Sequence, residues 1–119
     1  MTSMISTSYL LAKKSLPTTT ALAAQELPNY LAATPGWQAD GARITKTFDF
    51  KNYYETLAFI NAIAYVIHAE DHHPELVTTY NRCIIRLDTH SVNEGKGGIS
   101  ENDFICAAKF DAIYQQSFS

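Results

Sequence analysis

From Asn52 to Glu70 the chain contains neither glycine nor proline, and Pro74 closes the region shortly after. Asn52 is a good N-cap residue with Glu55 three positions on, so this run predicts one long helix that ends near Glu70. Tyr53, Leu57, Ile60, Ala64 and Ile67 form one apolar row at 3/4 spacing, and Phe59, Ile63 and Val66 form a second beside it. A helix lying on a single sheet needs about one such row. The second row therefore predicts contact with another helix or another subunit.

Alternating segments flank this helix on both sides. In Ala42 to Phe50, the apolar Ile44, Phe48 and Phe50 alternate with Arg43, Thr45, Thr47 and Asp49, the period of a strand with one buried face. Lys46 is the single residue out of pattern. Trp37 to Ala39 reads as the strand before it, joined by an Asp40-Gly41 turn. After Pro74, Leu76 to Tyr80 and Arg82 to His90 read as two more strands about a turn at Asn81. In the last strand Cys83, Ile85, Leu87 and Thr89 share one side, and Ile84, Arg86, Asp88 and His90 share the wetter one.

Helical signals occupy both ends. Ala21 to Ala33 is good helix material in which Pro28 removes a backbone donor and predicts a kink or an end. Asn93 to Gly98 predicts a flexible loop, after which Ser100-Glu101-Asn102-Asp103 opens a final helix through Ile105, Ala108, Phe110 and Ile113. The order helix, strand, strand, helix, strand, strand, helix predicts an α+β fold, one four-stranded antiparallel sheet with three helices on one face. Residues 21–119 are expected to form a single domain, because two cores in 119 residues would leave each near the size that needs disulfides or metals. Residues 1–20, rich in Ser and Thr and containing Pro17, are expected to be an extended or loosely attached N-terminal arm.

Composition removes several classes of function. Nine Lys+Arg against twelve Asp+Glu give a net charge of -3, and no basic run exceeds Lys13-Lys14, which argues against direct nucleic-acid binding. Cys83 and Cys106 lack CxxC spacing, which suits a reducing compartment. No apolar run approaches the roughly 20 residues that span a bilayer, and Met1 to Ser15 lacks the pattern of a secretory signal. A cytoplasmic protein without a membrane partner is expected.

Chemistry is concentrated in the histidines. His68, His72 and His73 fall in one short stretch, and His90 closes the last strand on its polar side. If the long helix runs through Asp71, His68 and His72 share one face while His73-Pro74 leaves in an extended direction, so the rings can converge. Imidazoles give and accept protons near neutral pH, and clustered rings resist charging together, which provides the acid and the base that a water elimination needs. A His-cluster zinc site is the rival, since His at i and i+4 with Asp71 or His90 has suitable ligand types. Against it, the glutamate stands third in His68-Ala69-Glu70-Asp71-His72 rather than second as in a zincin helix, and no Cys pair is at hand. No Gly-x-Ser-x-Gly elbow is present for nucleophilic chemistry.

The segments His72-His73-Pro74-Glu75, Tyr80-Asn81-Arg82, Leu87-Asp88-Thr89-His90 and Ile99-Ser100-Glu101-Asn102-Asp103-Phe104 resemble the signature of the pterin-4a-carbinolamine dehydratases. His68, Tyr80, His90 and Asp103 fit the family's spacing, and Pro35-Gly36-Trp37 and Thr47-Phe48-Asp49-Phe50 extend the likeness over roughly residues 22 to 114. His68 departs from it where an acid is usual, Leu76 where an aromatic is common, and the loop after His90 is longer than in the animal form.

The resemblance implies a lyase that dehydrates 4a-hydroxytetrahydropterin to quinonoid dihydropterin. It implies neither metal nor organic cofactor, and a role in recycling the cofactor of the aromatic amino-acid hydroxylases. It also implies a homodimer or homotetramer. The family's essential histidines correspond to His72, His73 and His90, and its pterin contacts to His68, Asp71, Asp88, Thr89 and Ser91, with Trp37 near the pocket. Asp103 reads first as the N3 member of a capping box begun by Ser100. Because animal members also stabilise the dimer of a transcription activator, a dimerisation or coactivator module is the alternative function.

Overall fold

The computed structural model describes residues 5–119. Residues 1–4 of the expected arm lie outside the described residues. The chain forms α1 (Thr7–Ala12), a 3₁₀ turn at Ala24–Glu26, α2 (Leu27–Ala32), β1 (Gln38–Asp40), β2 (Arg43–Asp49), α3 (Tyr53–Glu70), β3 (Glu75–Thr78), β4 (Arg82–Leu87), a second turn at Asn93–Gly95 and α4 (Glu101–Ser117). The order is the expected one with a short helix added at the front, so among the described residues four helices rather than three accompany the sheet.

All strands pair antiparallel in one sheet of order β1-β2-β4-β3. The register places Ile44 opposite Leu87 and Phe48 opposite Cys83, so the buried residues of β2 and β4 share one face. That face meets the helices: the Phe48 ring lies 4.9 Å from Phe59 of α3 and 5.1 Å from Tyr114 of α4, centroid to centroid. The predicted alternation of β4 holds through residue 90, with Cys83, Ile85, Leu87 and Thr89 buried and His90 exposed, although the paired strand ends at Leu87. Beyond it only a Thr89–Gly98 bridge continues the pairing.

Helix α3 begins where the capping signal puts it, with the Asn52 side chain accepting the Glu55 N–H at 2.9 Å. Of its two rows, Phe59, Ile63 and Val66 are buried in the chain's own core, whereas Tyr53, Leu57 and Ala64 of the other are exposed. Two turns differ from expectation. Asp40 pairs with Arg43, so the first hairpin turns on Gly41 and Ala42, with Gly41 at φ +62°. Pro28 sits in the first turn of α2, where its missing donor costs nothing, so it starts that helix rather than kinking one that runs from Ala21.

Lys46, out of pattern in the sequence, has a partner in the structure. Its Nζ lies 2.8 Å from Asp111 Oδ1 and 3.2 Å from the Pro35 carbonyl, and the Trp37 indole N–H donates to both Asp111 oxygens at 3.1 Å. Burial pushes the Asp111 carboxyl above its ordinary value, while Lys46 and Trp37 pull it back.

The N-terminal arm departs from the expectation of an extended or loose attachment over residues 7–12. These are helical and bury Leu10 completely, and the Tyr9 and Tyr30 hydroxyls both donate to Glu101 Oε2, at 2.8 and 2.7 Å. Residues 13–20 carry no helix or strand, and the Leu22 N–H then rejoins the fold by donating to the Ile99 carbonyl at 2.9 Å.

Candidate active site

Helix α3 ends one residue sooner than a shared face for His68 and His72 requires. Asp71 caps it in the left-handed region, φ 50° and ψ 47°, a conformation that aspartate tolerates better than most residues. The chain swings there, so His72 turns inward while His68 stays exposed on the last helical turn. The end of α3 thus meets the end of β4 and the start of α4.

His72 retains 9% of its exposure, and its Nε2 lies 2.5 Å from Oδ1 of the fully buried Asp103. The other Asp103 oxygen accepts the Ser100 N–H at 2.9 Å and the Thr89 hydroxyl at 3.0 Å. Asp103 is therefore the expected cap and also the partner of a site histidine, a second role that the sequence left open because 31 residues separate the two. With the carboxylate as acceptor, Nε2 is the donor on His72.

The other rings carry carboxylates of their own. His73 Nε2 is 3.5 Å from Asp71 Oδ1, and His90 Nε2 is 3.1 Å from Asp88 Oδ1. Both rings are exposed. The Asp-x-His spacing that makes these two pairs stands in the sequence as Asp71-His72-His73 and Asp88-Thr89-His90.

A pocket of about 300 Å³ opens on this cluster. It brings together Asp71, His72, His73, Asp88, Thr89, His90 and Ser91, and adds Glu70, Asn102 and residues 15–18, none of which the sequence analysis placed in the site. Thr89 has little to offer a ligand. Its hydroxyl serves Asp103 and lies 2.6 Å from Ser100 Oγ, and its backbone N–H and carbonyl both pair with Gly98. Two candidates fall elsewhere: His68 is not among the pocket walls, and Trp37 is buried in the core against Asp111. Tyr80 is also remote, at the opposite end of α3, where its carbonyl accepts the Thr56 hydroxyl at 3.1 Å and its ring stacks on Tyr53.

Charge within the pocket wall is organised by Glu70. Burial opposes its ionisation, but the Lys109 ammonium at 2.6 Å and the Ser15 N–H at 2.7 Å outweigh that and hold the carboxyl below its ordinary value. Burial pushes the Cys83 thiol up to about 11 and the Cys106 thiol up to about 12, so neither is a thiolate nucleophile at neutral pH. Among the described residues, no three His, Cys, Asp or Glu side chains converge as a metal ion would require.

Comparison with known proteins identifies the family. A family model described as pterin 4 alpha carbinolamine dehydratase matches residues 20–113. A Bdellovibrio bacteriovorus protein carrying the name pterin-4-alpha-carbinolamine dehydratase is 57% identical over 116 residues, 98% of this chain and 97% of that one. The crystal structure of a transcriptional coactivator/pterin dehydratase from Brucella melitensis superposes with a TM-score of 0.72 at 38% identity, over 79% of this chain and 98% of that one. A pterin dehydratase-like protein identified as a RuBisCO assembly factor in the alpha-carboxysome superposes with a TM-score of 0.53 at 26% identity, over 65% and 84% of the two chains. With the family model spanning most of its length and a relative matching nearly all of it, the chain belongs to the pterin 4 alpha carbinolamine dehydratase family.

Proposed function

We propose that this chain dehydrates a 4a-hydroxytetrahydropterin to the quinonoid dihydropterin by general acid-base catalysis, with His72, His73 and His90 as the proton-carrying set. The observation that carries this is the arrangement of three imidazoles, each beside its own carboxylate, on the wall of one pocket. The leaving hydroxyl sits on a carbon that also bears a ring nitrogen. One protonated imidazole gives a proton to the oxygen, the C–O bond breaks as the nitrogen electrons form a C=N bond, and a neutral imidazole takes the N–H proton, so that water and dihydropterin leave. A carboxylate beside each ring gives it an acceptor for one N–H, and for the buried His72 that contact sets the ring's orientation. General acid-base catalysis supplies about 10²–10⁴ in rate, and holding the substrate in the pocket adds to it.

Reduction of the product regenerates a tetrahydropterin, so the reaction serves the recycling of a tetrahydrobiopterin-type cofactor. The test is steady-state assay of the pure chain on several 4a-hydroxypterins. Acceleration over the spontaneous reaction is expected, and its absence with every substrate would overturn the reading.

A second copy of the chain is the inferred partner. The row of α3 that carries Tyr53, Leu57 and Ala64 is left open by the core, and this supports a homodimer or homotetramer buried partly through that helix. Sedimentation at micromolar concentration is expected to show at least a dimer, and a strict monomer would end this reading.

A further inference from the structure

Among the described residues, only two of the side chains that line the pocket are apolar, Leu16 and Pro17. Both precede residue 20, where the match to the family model begins. The remaining walls offer carboxylates, hydroxyls and an amide, which suit the polar edge of a heterocycle, and imidazoles, which the acid-base reading uses for proton transfer. Leu16 and Pro17 are therefore the apolar surface left for a ring face.

The Leu16 backbone is tied down in a place that gives the residue little cover. Leu16 is 64% exposed, yet Asn102 holds its backbone from both sides, accepting the Leu16 N–H through Oδ1 at 3.3 Å and donating to the Leu16 carbonyl through Nδ2 at 2.7 Å. On one flank the Ser15 N–H donates to Glu70 at 2.7 Å, and on the other the Ser91 hydroxyl donates to the Thr18 carbonyl. Upstream, Lys14 Nζ reaches the Ala69 carbonyl and Lys109 Nζ reaches the Lys13 carbonyl, each at 2.8 Å. Fixing a backbone costs conformational entropy that burial ordinarily offsets, and here hydrogen bonds supply the order without the burial. A ligand that covers Leu16 gains the contact without having to order that backbone, which is the advantage of preorganisation.

We propose that residues 13–18 form a fixed strap whose Leu16 and Pro17 cover one face of the pterin ring, and that Asn102 is the positioning residue that holds the strap in place. This rests on the dehydratase reading and assigns ring-face recognition to a segment that the histidine cluster does not involve. Because the strap touches the ring rather than the reacting oxygen, it acts on substrate affinity more than on turnover.

Four full-length proteins test it: wild type, Leu16→Ser, Leu16→Met and Asn102→Ala. Each is assayed for kcat and KM, and for trypsin cleavage after Lys13 and Lys14 with and without 7,8-dihydrobiopterin as probe. Leu16→Ser is expected to raise KM about tenfold, the size of a lost leucine contact, with kcat within about twofold of wild type. Leu16→Met, which restores an apolar side chain of similar volume, should return KM close to wild type. The probe should protect Lys13 and Lys14 in the wild type, and Asn102→Ala should speed cleavage there and raise KM. An active Leu16→Ser protein with unchanged KM would overturn the strap's role, as would a wild type whose cleavage ignores a bound probe. A wild type that neither turns over nor binds the probe would instead bring down the dehydratase reading, and this inference with it.

Discussion

His72 Nε2 and Asp103 Oδ1 lie 2.5 Å apart, while the other oxygen of the same carboxylate caps α4 through the Ser100 N–H. One side chain therefore starts a helix and orients an imidazole of the pocket, so the fold and the proposed chemistry share a residue.

Asp103→Asn should separate those roles. The amide keeps an oxygen for the Ser100 N–H but no longer offers His72 a second acceptor, so kcat should fall by about 10² while the protein stays folded. Asp103→Ala removes the cap as well and should cost a further 1 kcal/mol or so, about the value of a lost N-cap contact, read from the denaturant midpoint. Unchanged kcat in Asp103→Asn would show that the pair is structural alone.

Replacing His72, His73 or His90 by Ala should each depress kcat by about 10² or more. His68→Ala should leave both kcat and KM unchanged, because that ring is exposed and off the pocket wall. Exhaustive chelation should likewise leave the rate intact, and recovery of a lost rate on adding zinc would contradict histidine acid-base chemistry.

Glu70 should make stability sensitive to acid. Its folded carboxyl lies below the ordinary value because Lys109 and the Ser15 N–H outweigh its desolvation. The stability it contributes is therefore present above the unfolded pKa and disappears as pH falls through the folded one. The difference in unfolding free energy between wild type and Glu70→Gln should be largest above about pH 5 and shrink below about pH 4. A difference that is flat across this range would mean that the charge on Glu70 contributes nothing.

Lys46→Met should destabilise by up to about 3 kcal/mol, because it leaves the largely buried Asp111 without its cation. Lys46→Met combined with Asp111→Asn should recover most of that loss, since the amide still accepts from Trp37. Trp37→Phe should cost about 1 kcal/mol through the lost hydrogen bond and leave KM unchanged, as Trp37 stands away from the pocket. A raised KM in Trp37→Phe would restore it to the substrate-binding set.

What local physics reaches was legible from the residues alone. Asn52 and the Ser100–Asp103 box set the starts of two helices because a cap acts over three residues, and the apolar phase of β2 and β4 set their buried face because side chains alternate. The Asp-x-His pairs at His73 and His90 each lie within one short segment, and it is the folded backbone there that brings carboxylate and ring together. Tertiary structure decided the rest. Asp71 took the left-handed cap, and that one backbone choice sent His72 inward and left His68 outside, which helical spacing alone could not tell. Asp103 with His72, Lys46 with Asp111 and Asn102 with Leu16 are joined across 31, 65 and 86 residues, and no periodicity or capping rule acts over such distances. The first and third of those pairs exist because the ends of α3 and β4, the start of α4 and residues 13–18 pack into one corner, and the second because β2 lies against α4. A polar group then finds its partner in whichever segment packs against it.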